Sequence, residues 1–140
     1  MDRIRKNLYI GNASDPKNTE RLNKEGITAI LNVAYELNDP IYFTHQFRCV
    51  KVGLEDSEKN SVEMRQLAID TLATLLEHGE NVLVHCAAGQ SRSVFVAAHG
   101  FAKYSGEHPE AILDEILKSR AFSHKGPLWK SFGYKPIGAE

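Results

Sequence analysis

The stretch VLVHCAAGQSRSVFVAAHG, residues 82–100, begins as an apolar run, passes a His-Cys pair and a loop of small residues, and reaches Arg92 and Ser93 before a second apolar run. The first run is short and branched, which suits a buried strand, and the second continues toward Gly106 as a helix. The loop between them, Ala87, Ala88, Gly89, Gln90 and Ser91, therefore lies at a helix N-terminus. Backbone N–H groups there lack intrahelical partners, and the positive end of the helix dipole points the same way. Successive N–H groups curled into a nest hold a tetrahedral anion. Two alanines and a glycine permit tight curvature, with Gly89 able to take a positive φ. Arg92 adds a planar fork of donors matched to two phosphate oxygens.

The thiol gains from the same arrangement. A free cysteine titrates at about 8.5, but at a helix N-terminus beside arginine values of roughly 3.5 to 7.5 occur. The field that grips an anion thus favours a thiolate at Cys86, a nucleophile able to attack phosphorus in line and form a thiophosphate. His85 is placed to hydrogen-bond the loop from behind. Ser93 can donate to the sulfur and ease its later departure, although the same hydroxyl also reads as a plain first-turn residue.

Outward from this segment, strand and helix patterns alternate. NLYIGN (7–12) reads as a strand, and SDPKNTERLNKEGI (14–27) as a helix capped by Ser14 or Asp15, with Pro16 in its first turn and Gly26 as its stop. ITAILNVA (27–34) and FRCVKVGL (47–54) read as strands, joined by a loop with a turn signal at Asn38-Asp39-Pro40. SVEMRQLAIDTLATLLEHG (61–79) is a helix whose apolar face is expected at Met64, Leu67, Ala68, Leu72, Leu75 and Leu76. EHPEAILDEILKSRA (107–121) is another, with Ala111, Ile112, Ile116 and Leu117 facing inward, and GPLWKSFGY (126–134) adds a final turn. The pattern predicts an α/β domain: a mostly parallel sheet of about four to five strands flanked by helices, with ligands bound beyond the strands' carboxyl ends.

The 140 residues suit a single domain spanning 1–140, and 42% hydrophobic with 25% charged residues fits a globular protein. A net charge of -1 gives no general pull toward nucleic acid or a membrane surface, and no apolar run reaches the ~18 to 20 residues of a membrane span. Cys49 and Cys86 are too few for a disulfide framework or a four-cysteine metal site, so the cytoplasm is the expected compartment. Cys49 reads as a strand residue, with a redox partnership to Cys86 as the alternative. His45, His99, His108 and His124 show no ligand spacing with either cysteine, so no metal site is expected; no cofactor is expected either. Tyr35, Tyr42 and Phe43 read as loop packing rather than as a substrate platform.

Phosphate transfer to a thiolate also needs a proton for the leaving oxygen. EDSEKN (55–60) follows a strand, and a carboxylate at a strand's carboxyl end can reach the pocket. Glu55, Asp56 and Glu58 all qualify by position.

HCAAGQSRS resembles the H-C-x5-R-S/T signature loop of the protein tyrosine phosphatase superfamily. With NLYIGN and GITAILNVA in the right order, the chain is most similar to the small atypical dual-specificity phosphatases, over roughly residues 5–132. The resemblance implies the cysteine phosphatase fold, a phosphocysteine intermediate and no metal. It puts the general acid at Asp56, thirty residues before Cys86. It makes Cys86, Arg92, Asp56 and Ser93 catalytic, and residues 87–92 the phosphate cradle. His85 and Asn32 become supports, Asn32 as the family asparagine that braces the phosphate loop. The expected form is a monomer acting on phosphotyrosine in a phosphoprotein or phosphopeptide, with phosphoserine and phosphothreonine as extensions. The alternatives are the same chemistry on a phosphoinositide or RNA 5′-phosphate, and a phosphopeptide-binding pseudophosphatase. The uncharged loop positions Ala87, Ala88, Gln90 and Ser91 count against highly acidic substrates, and Gln90 departs from the apolar residue common there in dual-specificity members.

Overall fold

The computed structural model describes residues 1–38, 46–130 and 132; Asp39, Pro40, Tyr42, Phe43 and His45 lie outside them. The elements run β1 (Asp2–Arg5), β2 (Leu8–Gly11), a 3-10 turn (Asp15–Lys17), α1 (Thr19–Lys24), β3 (Ala29–Ala34), β4 (Arg48–Leu54), α2 (Val62–Glu77), β5 (Val82–His85), α3 (Arg92–Ser105), α4 (Pro109–Ser119) and a 3-10 turn (Pro127–Trp129). The sheet has five strands in the order β1-β2-β5-β3-β4. Among the described residues only β1, which the sequence pattern does not announce, is antiparallel; it pairs with β2, and the remaining pairings are parallel.

Period-2 alternation puts apolar residues on both faces of the sheet. Leu8, Ile10, Leu31, Val33, Val82 and Val84 pack with α2, α3 and α4 in the larger core, while Tyr9, Ile30 and Leu83 pack with Leu22 of α1 in a smaller one. The core strands contribute branched or aliphatic side chains that are 5% exposed or less, so a change such as Leu83→Ala would open a cavity and lose about 2 to 5 kcal/mol.

Three local expectations are corrected. The cap of α1 is neither Ser14 nor Asp15. Pro16 sits in the separate 3-10 turn, and Asn18 caps α1 by accepting from the Arg21 amide. The Asp15 carboxylate instead accepts from the Asn12 amide, closing the turn after β2. In α2, Met64 and Leu67 are exposed, and the buried face runs through Arg65, Ala68, Ile69, Leu72, Ala73 and Leu76. Arg65 belongs there because its guanidinium donates to the Leu128 and Lys130 carbonyls, a polar need that an apolar-face count overlooks. In α4, Ala111 faces solvent and Leu113 takes the inward place.

The parallel strands carry their carboxyl ends to one edge. Gly11 and Asn32 both lie level with His85, and Ala34 lies level with Leu54. The segments that follow, 12–18, 86–91, 35–38 and 55–60, therefore converge there. Cys49 lies level with Ile30, which lies level with Leu83. It is thus two strands across and three residues short of Cys86, beyond the ~7 Å Cα limit for a disulfide.

Candidate active site

Loop 86–91 is tied down from three sides. The Ala87 carbonyl accepts from the Ala13 amide (3.0 Å), the Gly89 carbonyl from Arg120 Nη2 (2.9 Å) and the Gln90 carbonyl from the His124 amide (2.9 Å). In a trans peptide, a carbonyl and the next N–H point in opposite directions. Those three anchors therefore turn the N–H groups of Ala88, Gln90 and Ser91 away from the neighbouring segments, toward the hollow of the loop. The Gly89 N–H already points there, 3.3 Å from Cys86 Sγ. Gly89 has φ 71°, and a Cβ on it would lie 2.7 Å from the Gly11 carbonyl oxygen, so the turn needs glycine on two counts.

Cys86 is buried, and its sulfur also lies 3.3 Å from Ser93 Oγ. One backbone N–H thus donates to the sulfur, and a hydroxyl able either to donate to it or to accept from it stands beside it at the start of α3, where the helix dipole favours negative charge. His85 is buried behind the loop, with Nδ1 3.4 Å from the Cys86 carbonyl oxygen.

Arg92 is 6% exposed. Nη1 donates to Glu36 Oε1 (2.6 Å) and to the Leu54 carbonyl (2.9 Å), and Nη2 donates to Glu36 Oε2 (2.7 Å). The carboxylate therefore grips the far end of the fork. The edge formed by Nε–H and the second Nη2 hydrogen meets no acceptor among the described residues and is the edge available to an oxyanion. The hydrogen bond to Glu36 pushes the guanidinium above its ordinary value against the opposing effect of burial, and the Cys86 charge adds to it. In return, the Arg92 hydrogen bond holds the Glu36 carboxyl at about 2.

Glu36 is one residue that sequence reasoning missed. Its only advance signal is position: it follows β3 by two residues, at the sheet edge where ligands bind. Asn32 supports this turn. Its Nδ2 donates to the Leu37 carbonyl (2.8 Å), and its Oδ1 accepts from the Ala34 amide (2.9 Å). Those bonds brace residues 34–37 rather than the phosphate loop itself, so the support reaches the loop through Glu36 and Arg92.

The three candidate acids separate clearly. All three are exposed, and their partners tell them apart: Glu58 pairs with Lys130 at the surface, and Asn60 engages the backbone of Glu55. Asp56 Oδ1 accepts a hydrogen bond from Ser91 Oγ at 2.9 Å, which brings that carboxylate onto the rim of the loop. Asn60 fastens the segment by donating to the Glu55 and Ser57 carbonyls and accepting from the Glu55 amide. Arg120, also unforeseen, links the Gly89 carbonyl to the Ile10 carbonyl and Asp2.

Residues 8–125 match the family model described as the dual specificity phosphatase catalytic domain. Protein phosphatase Slingshot of Drosophila melanogaster is 31% identical over 121 residues, covering 85% of this chain and 11% of that protein. Dual specificity protein phosphatase 22 of Xenopus tropicalis is 35% identical over 97 residues, covering 67% of this chain and 44% of the relative. The chain thus spans less than half the length of either protein. The crystal structure of human DUSP28 superposes with a TM-score of 0.82 at 19% identity, covering 94% of this chain and 91% of that one, which shows the shared fold. From β2 through the segment after α4 the sequence follows that family's pattern, and the chain belongs to the dual-specificity phosphatases.

Proposed function

We propose that this domain hydrolyses phosphotyrosine, and with it phosphoserine or phosphothreonine, in a phosphoprotein through a phosphocysteine intermediate. The observation that carries this reading is the joint placement of a sulfur, a backbone donor and a hydroxyl at it, a loop whose carbonyls are tied outward, and a clamped guanidinium. In the first step Cys86 Sγ forms the S–P bond while the P–O bond to the leaving group breaks. Asp56 gives its proton to the departing oxygen. In the second step water attacks phosphorus, Asp56 takes the water's proton, and the S–P bond breaks with its electron pair returning to sulfur. Ser93 Oγ donates to that sulfur as it leaves. The amides of residues 87–92 and the free edge of Arg92 hold the phosphoryl oxygens as charge spreads over them. The uncharged side chains at positions 87, 88, 90 and 91 favour a phosphomonoester of a protein over a polyanionic lipid or an RNA end.

The test is turnover of p-nitrophenyl phosphate and of phosphotyrosine and phosphothreonine peptides in the presence of EDTA and, in a separate EDTA-free assay, inhibition by vanadate. Cys86→Ser is expected to lower turnover by about four orders of magnitude or more while still binding phosphopeptide. Undiminished turnover by that variant would overturn the mechanism. Peptide binding without turnover by the unaltered chain would assign it to the pseudophosphatases.

A further inference from the structure

Ser91 stands at the N-cap position of α3, where a serine hydroxyl ordinarily accepts from an amide of the first turn and stabilises the helix by about 1 kcal/mol. Here the side chain makes no capping hydrogen bond. The backbone carbonyl performs the first-turn bond, accepting from the Phe95 amide at 3.0 Å, and the hydroxyl turns instead to Asp56 Oδ1 at 2.9 Å. Ser91 is 4% exposed, so this hydroxyl has few alternative directions. Its room is provided by Gly126, where a Cβ would overlap Ser91 Oγ. Gly126 has φ 72° and ψ -179°, a region open essentially to glycine alone. Three segments distant in sequence thus agree on where one hydroxyl points.

We propose that the Ser91 hydroxyl is the positioning residue for the general acid, a role resting on the assignment of Asp56 to that step. Its amide is part of the anion cradle, while its side chain holds the acid, so one residue fixes the distance between phosphorus and proton donor. A hydrogen bond donated to Oδ1 makes that atom the acceptor oxygen of the carboxyl group. The transferable proton is then carried by Oδ2, the oxygen left for the leaving group. After departure the same bond keeps the carboxylate in place to receive the proton of the attacking water.

The test is a double-mutant cycle of Ser91→Ala and Asp56→Asn, read with p-nitrophenyl phosphate (good leaving group) and phenyl phosphate (poor), and with vanadate affinity as the measure of an intact loop. Ser91→Ala is expected to slow phenyl phosphate by about tenfold, the loss of one hydrogen bond. The losses in p-nitrophenyl phosphate turnover and in vanadate affinity should both be several-fold smaller than that, and the substitution should add nothing in the Asp56→Asn background. Gly126→Ala, which keeps the serine but crowds its hydroxyl, should reproduce the same leaving-group dependence. If Ser91→Ala slows both substrates equally, weakens vanadate binding in parallel, or acts undiminished beside Asp56→Asn, the proposal is overturned while the acid assignment stands. If Asp56→Asn itself shows no leaving-group dependence, the acid assignment fails and takes the proposal with it.

Discussion

Helix α3 buries two basic side chains, Arg92 at its first position and His99 two turns later, and treats them in opposite ways. Arg92 keeps its charge, because Glu36 and the Leu54 carbonyl accept from it in a closed arrangement. His99 is stacked among Phe95 (4.7 Å), Trp129 (4.5 Å) and Phe132 (5.1 Å), and burial pushes it down to about 4. The Glu110 charge opposes that shift, while His108 and Lys125 reinforce it. Both residues are 6% exposed or less, so burial alone does not set the charge. What decides is whether a carboxylate reaches the group closely enough to outweigh the lost hydration. One end of the helix keeps a charge inside a closed set of acceptors, and the other sheds it among aromatic rings.

Removing the charged member strains this contrast most. Arg92→Ala takes away the guanidinium to which the proposed mechanism gives the phosphoryl oxygens and leaves Glu36 unopposed. Both phosphopeptide affinity and turnover should fall, with kcat/KM lower by about a thousandfold. A fall in kcat alone would show that the guanidinium does not bind the ground state.

The neutral member is read through pH. The folded-state value of His99 lies below its ordinary 6.5, so the unfolded chain binds more protons between pH 6.5 and 4. Stability is therefore full above about pH 6.5 and declines as pH falls through that window, by about 3 kcal/mol for this group. Urea midpoints at pH 7 and pH 4.5 should differ less in His99→Phe than in the unaltered chain. An identical acid dependence in the two proteins would mean that the imidazole is not held neutral.

Glu36→Gln sharpens the comparison with the smallest change. It keeps the shape and one acceptor but removes the charge that neutralises Arg92. Vanadate should bind a few-fold more tightly, as expected for loss of a half-exposed like charge near the anion. Weaker binding would show that Glu36 matters more for aiming the guanidinium than for damping its field. Because Glu36 is held near 2 rather than 4.5, the pair is intact at neutral pH. Its contribution fades only as pH drops from about 4.5 toward 2.

Much of this was readable from residues close together in the chain. A strand, a loop and a helix in immediate succession compel the loop amides toward one point, so Cys86, Gly89, Arg92 and Ser93 declare their relation within eight positions. The parallel character of the sheet follows from alternating periodicities for a similar reason, since each element's pattern is local. The reading failed where a polar side chain found a distant partner, as with the buried Arg65 and with Asn18, which caps α1 ahead of Ser14 or Asp15. Nor does any local pattern announce that Glu36 clamps Arg92 across 56 positions, or that Ser91 meets Asp56 across 35. Those pairings depend on strand order and register, which bring the loops after β3, β4 and β5 to one edge. A hydrogen bond forms within a few tenths of an ångström or not at all, and only the packed sheet sets distances that finely.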